Sequence, residues 1–169
     1  LAMTYVEENI LTKAAEAYEG YIANSDEPGY NDFIQQATFA FYAGVENKAK
    51  DPAAAEKFYT IAKDYASKAA AILPDNYKPV KFDGDIALQK ASEANVASAA
   101  VPYYLKAIDL LEASPNKDRY ASDAKTMYNY MGNYYLDQKD VAKAKEYFAK
   151  YLQLDPNNTE YRKFVESLK

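Results

Sequence analysis

The stretch from Tyr128 to Asn158, Y-N-Y-M-G-N-Y-Y-L-D-Q-K-D-V-A-K-A-K-E-Y-F-A-K-Y-L-Q-L-D-P-N-N, decides the fold. It reads as two amphipathic helices joined by a short polar turn and closed by Asp155-Pro156. Gly132 lies on the first helix, and Ala144, twelve residues on, lies on the second. Small residues at both positions let the helix axes approach to about 8–10 Å. Phe148 and Tyr151 follow Ala144 by four and seven residues, so helical spacing puts all three on one face.

The second-helix signature, Ala followed by an aromatic residue at +4 and Ala or Tyr at +7, recurs through the chain. It appears as Ala14-Tyr18-Tyr21, Ala55-Tyr59-Ala62 and Ala100-Tyr104-Ala107, and with Ala144 the leading alanines are 41, 45 and 44 residues apart. Near-regular recurrence of this kind marks a repeat array. Turn clusters fall between the copies: Asn24 to Gly29, Leu73 to Asn76, Ser114 to Lys117 and Asp155 to Asn158. Asp51-Pro52 reads as an N-cap with proline at the first helical position, and Asp140 reads as the cap of the helix holding Ala144. The pattern predicts helices near 2–8, 11–24, 30–48, 52–72, 77–91, 96–113, 119–137, 140–153 and 159–168, with no strand. Pro102 falls inside the helix expected from 96, which therefore starts late or kinks.

Units near 1–28, 30–76, 77–117 and 119–158, with a capping helix at 159–169, describe one repeat domain. Tyr161, Phe164, Val165 and Leu168 share one face of that last helix, and its other face is charged, as a terminal solvating helix requires. Ala2 stands twelve residues before Ala14, as Gly132 does before Ala144. The chain thus reads as starting within a first helix, as the C-terminal part of a longer protein.

Composition narrows the function. The 169 residues carry a net charge of −5, and Arg occurs only at Arg119 and Arg162, so no basic face for nucleic acid is expected. No apolar run is long enough for a membrane span. The chain has no Cys and no His, which removes thiol and imidazole chemistry and Cys/His zinc sites. The carboxylate pairs Glu7-Glu8, Asp83-Asp85 and Asp137-Asp140 read as solvated faces and caps. No catalytic residue, metal or cofactor is expected. Lack of Cys suits oxidising and reducing compartments equally, so periplasm, cell envelope and cytoplasm stay open. The Lys-over-Arg bias with the Asn and Tyr content points to a bacterial source.

The Tyr128–Asn158 pattern resembles a tetratricopeptide repeat (TPR). The resemblance is close over 125–158, fair over 2–28 and loose over 30–115, where longer helices stretch the usual unit of about 34 residues. Tyr21 and Tyr151 stand where that family usually has Ala. The resemblance implies an all-α, right-handed α-α superhelix of helix pairs, a TPR-like solenoid whose first helices line a concave groove. Such grooves hold an extended peptide or a partner helix without chemistry. By the family pattern the groove positions are Thr126, Asn129, Asn133, Leu136 and Asp137 in the best unit. In the second unit, with Gly44 as the small residue, they are Thr38, Phe41, Val45 and Lys48. Some members clamp a C-terminal carboxylate; Asn133 matches one clamp Asn, but Asn129, Phe41 and Val45 fill the other slots, so no such receptor is expected.

Two further sets of candidates come from the residues themselves. Asn129 and Asn133, four apart, present paired donors and acceptors suited to a peptide backbone, or else form a solvated polar face. Tyr130 and Tyr134 are the tyrosines best placed as an aromatic surface, because Tyr128, Met131 and Tyr135 take the packing face; the bland reading of any tyrosine here is inter-helix packing. The sequence therefore points to a non-catalytic protein-interaction scaffold binding a peptide or helix. The alternative is a structural or cell-envelope assembly module that docks on its own upstream domain or self-associates.

Overall fold

The computed structural model of the protein describes residues 10–169. The helix expected near 2–8, Ala2 and the Glu7-Glu8 pair lie outside the described residues. Those residues form nine α-helices: α1 (Leu11–Ala23), α2 (Tyr30–Asn47), α3 (Pro52–Ile72), α4 (Tyr77–Lys90), α5 (Val96–Ala99), α6 (Val101–Ala113), α7 (Ala121–Asp137), α8 (Val141–Leu154) and α9 (Thr159–Ser167). A short 3-10 turn (Lys117–Tyr120) precedes α7, and no strand occurs among the described residues. The fold is the all-α, TPR-like helical solenoid expected.

Five helices lie within one residue at each end of the spans read from the sequence, and α3 spans 52–72 as expected. The span 96–113 is instead two helices, because Pro102 sits in the first turn of α6 and breaks the ladder before it. The start expected near 119 is the 3-10 turn, with α-helix only from Ala121.

Local chemistry sets these limits. The Asp51 carboxylate accepts from the Ala53 and Ala54 amides at 3.1 and 3.0 Å and starts α3, with Pro52 behind it. Asp140 accepts from the Lys143 amide at 3.1 Å, and Asn158 from the Tyr161 amide at 3.0 Å. At the end of α7 the Lys139 amide donates to the Leu136 carbonyl and the Asp140 amide to the Tyr135 carbonyl, both at 2.9 Å. This is the Schellman pattern, and it places Lys139 at φ 60°, a left-handed position that usually falls to glycine.

The chain divides into two compact units, the first ending at Lys90 and the second beginning at Ala91. The division falls inside the stretch 77–117 that the repeat spacing groups together. In the first unit α2 packs chiefly on α3, with α1 and α4 added on either side. Buried alanines on α2 (Ala37, Ala40, Ala43) and α3 (Ala55, Ala62, Ala66, Ala69) bring the two helices close, while Phe39, Phe58 and Tyr59 fill the remaining volume. Gln36 is wholly buried there, and its amide donates to the Ala15 carbonyl of α1 at 3.0 Å.

In the second unit α7 pairs with α8. Met127, Met131, Ala144 and Phe148 are fully buried at this crossing. A Cβ added at Gly132 would overlap the Phe148 ring, so glycine is what lets that ring lie across α7. Gly44 plays the same part in the first unit, where a Cβ would meet the Tyr59 ring at 2.5 Å. The two crossings repeat one device: a glycine on the first helix under the aromatic at +4 from the leading alanine of the second. Finally, α9 closes the end of α8, with the Tyr161 and Phe164 rings 5.7 and 5.5 Å from Phe148.

Candidate functional site

Helix α7 carries most of the residues singled out in the sequence. Its buried side, Ala124, Met127, Tyr128, Met131 and Gly132, packs away, and this leaves a polar face. Thr126, Asn133 and Asp137 are exposed on it, and Asn129 and Leu136 are half-buried. The face is locally organised. The Thr126 hydroxyl donates to the Ser122 carbonyl at 3.1 Å, and the Asn133 amide donates to the Asn129 carbonyl at 2.8 Å. Asn129 Oδ1 accepts the Tyr161 hydroxyl of α9 at 2.8 Å. That bond fixes the Asn129 amide with its oxygen turned to α9, leaving the NH₂ as its remaining polar group.

Beside this face lies a cleft of about 470 Å³ lined by Ser122, Lys125, Thr126, Asn129, Tyr151 and Tyr161. The Tyr151 and Tyr161 rings form its aromatic wall, with centroids 4.2 Å apart. Lys125 reaches across and pairs with Asp155 at 3.1 Å. Burial, with Tyr151 adding to it, pushes the Tyr161 hydroxyl well above the ordinary tyrosine range, so it stays a donor to Asn129. The substitution of Tyr for Ala at 151 thus supplies a wall of the cleft. Nothing in the repeat pattern alone shows that α9 would bring Tyr161 against it.

The other candidates stand elsewhere. Tyr130 turns its hydroxyl to the backbone of α5, bonding Val96 and Ala100. Tyr134 is half-buried with its ring edge-on to Tyr135 at 5.2 Å. In the first unit Val45 is exposed, beside Tyr42. Phe41, expected on a groove face, is instead a core residue at 8 % exposure. Its ring lies 6.2 Å from both Tyr59 on α3 and Phe82 on α4, because α4 covers that side of α2. The recurrence shows which face of α2 is apolar, but not that a fourth helix lies over it.

One constellation was not read from the sequence. Glu112, at the end of α6, accepts the Tyr128 hydroxyl of α7 at 2.9 Å and the Lys150 ammonium of α8 at 2.7 Å, on the same oxygen. Burial works to raise the Glu112 carboxyl, but the bonds from Lys150 and Tyr128 outweigh it and hold the group below the usual carboxylate range. Lys150 also stands over the Tyr128 and Tyr147 rings at 5.7 and 5.6 Å. The pair flanks a cleft of about 500 Å³ floored by Leu111, Ala124 and Leu154. It ties three helices together with partners far apart in sequence, which no short motif reveals.

Asp85 pairs with Lys81 at 2.7 Å within α4, and Asp140 caps α8, so both act locally. Among the described residues no three His, Cys, Asp or Glu side chains gather as a metal site, and no helix is long and apolar enough to cross a membrane.

Comparison with known families agrees with this geometry. Residues 127–158 match the tetratricopeptide repeat, from Met127 within α7 through the Lys139 turn and α8 to the Asp-Pro stop. No curated protein matched the chain. Residues 127–158 are thus a tetratricopeptide repeat, set in an all-α chain whose α2/α3 pair shares its glycine crossing, and such a repeat supports a protein-protein interaction module in the general sense.

Proposed function

We propose that the protein is a non-catalytic scaffold that holds a peptide or partner helix along the polar face of α7. The observation that carries this reading is the organised row of Thr126, Asn129 and Asn133 beside the cleft walled by Tyr151 and Tyr161. Asn side chains fixed in orientation suit a peptide main chain, which offers one donor and one acceptor per residue. The aromatic wall suits one apolar or aromatic side chain of that peptide, whose burial contributes roughly 1.5–3 kcal/mol before ordering costs. No basic set clamps a terminal carboxylate on this face, so internal segments of a partner are expected to bind as well as free ends.

Selection of displayed random peptides on the protein, followed by titration of the best binder, tests the assignment. The double substitution Asn129→Ala with Asn133→Ala is expected to weaken binding about tenfold or more while the melting temperature shifts by only a few degrees. Selected peptides that bind the folded double variant as tightly as the natural sequence would remove α7 from the role.

A second reading, docking through the first unit, is favoured by the neighbouring exposed Tyr42 and Val45 on α2, 50 % and 38 % accessible. Sedimentation across a wide concentration range separates the two. A mass that stays monomeric at all concentrations counts against self-association by that face.

A further inference from the structure

We propose that the Tyr130 hydroxyl is a latch that closes the break between α5 and α6 and pins the residues entering the second unit to α7. In an unbroken helix the Val96 carbonyl accepts the Ala100 amide four residues on. Here the Tyr130 hydroxyl stands between these two groups. It accepts from the Ala100 amide at 3.1 Å and donates to the Val96 carbonyl at 3.1 Å. One side-chain oxygen therefore satisfies both halves of a helical bond that is not made, the kind of insertion that bends a helix.

The break has its own cause. Pro102 has no amide hydrogen for the Ser98 carbonyl, and in a continuous helix its ring would press on that carbonyl. The proline opens the ladder, and the hydroxyl of a different helix fills the gap. The Tyr130 ring is set for this by edge-to-face contact with Tyr104, centroids 5.1 Å apart at 82°, and Tyr104 is itself only 1 % exposed. Burial keeps the Tyr130 hydroxyl protonated, which the bond to Val96 requires.

The latch matters because α5 has little else to hold it. The helix is four residues long, contains no buried residue, and is too short to persist by its own hydrogen bonds. The Tyr130 hydroxyl is thus the side-chain bond that ties residues 96–100 to α7, beside the buried Ala100, and opening of α5 is separable from unfolding of the rest of the unit. It also explains why Tyr130, placed by spacing among the binding candidates, serves the fold.

Amide exchange at Ala100 tests the latch in three variants. Tyr130→Phe keeps the ring on Tyr104 and is expected to exchange at Ala100 about tenfold faster, with Met127 and Met131 amides unchanged. Pro102→Ala lets Val96 and Ala100 pair directly, so the double variant is expected to regain the lost protection. Unchanged exchange in Tyr130→Phe, or a double variant no slower than the single, overturns the proposal. Should Tyr130→Phe fail to fold, Pro102→Ala alone decides: slower exchange at Ala100 than in the natural chain supports it, and equal or faster exchange overturns it.

Discussion

The crossing of α2 with α3 and that of α7 with α8 use the same device on different scaffolds. Each sets a glycine under an aromatic ring, Gly44 under Tyr59 and Gly132 under Phe148. Around it the first unit builds long helices, 18 and 21 residues, lined with alanine. The second uses shorter ones, 17 and 14 residues, with methionine and aromatic packing. Charge divides in the same way. Residues 1–90 carry nine lysines against fourteen Asp and Glu, whereas 91–169 carry eleven Lys and Arg against eleven Asp and Glu. In the first unit α4 covers the Phe41 side of α2. In the second the polar face of α7 stays accessible beside a cleft. The lesson is that one crossing motif fixes how two helices meet, while the neighbouring helix decides whether a face becomes core or stays accessible.

The strongest test of the shared device sets helix propensity against packing. Alanine favours a helix by about 1 kcal/mol over glycine, so at a roomy site Gly132→Ala would stabilise. Under the Phe148 ring it is expected to cost about 2–3 kcal/mol instead, read as a lower urea midpoint. Gly44→Ala should also destabilise, but less, because Tyr59 is a little more exposed than Phe148 and has more room to give. A gain in stability at either position would mean that the helices do not meet as closely as the shared device requires.

Alkaline pH sharpens the comparison next. In the first unit Tyr18, Tyr59 and Tyr65 have hydroxyls raised by burial, Tyr18 to about 12 with Asp32 contributing. In the second Tyr128, Tyr130, Tyr147 and Tyr161 are raised, again chiefly by burial. Unfolded tyrosines ionise near pH 10, so above that the unfolded chain holds fewer protons than the folded one. Stability present below pH 10 is therefore lost as pH rises through 10 and beyond. With no His in the chain, it should change little between pH 6 and 9. Urea midpoints at pH 8 and 11 check this, and an equal midpoint at both would contradict the burial of these hydroxyls.

The smallest effect belongs to the turn between α7 and α8. Lys139 holds a left-handed conformation that costs a residue with a Cβ roughly 1 kcal/mol. Lys139→Gly is expected to raise stability by about 0.5–1 kcal/mol, a gain visible in thermal denaturation. A loss there would mean that the lysine side chain contributes more than its backbone strain costs.

Much of the fold was legible because the signals are local. Asp51 and Asp140 start helices through bonds within three residues, Asp155-Pro156 marks the end of α8, and the small and aromatic residues at helical spacing named both glycine crossings. Contacts made by distant partners were not legible. Pro102 announced a break, but nothing near it in sequence pointed to Tyr130 as the group that fills it. Spacing set Phe41 on an apolar face without showing α4 above it. Glu112 finds Tyr128 and Lys150 on two later helices. Of the candidate site, Thr126, Asn129 and Asn133 were read from the repeat pattern, whereas Tyr161 joined them only through α9.

The most direct test of the binding role is the side-chain amide spectrum of the protein during titration with a selected peptide. Asn129 and Asn133 NH₂ resonances are expected to shift and saturate with the peptide. The Asn47 NH₂, held by Ala43 and Thr12 at 2.8 and 2.9 Å in the first unit, should stay in place. Saturable binding that leaves both α7 asparagines unmoved would contradict the account.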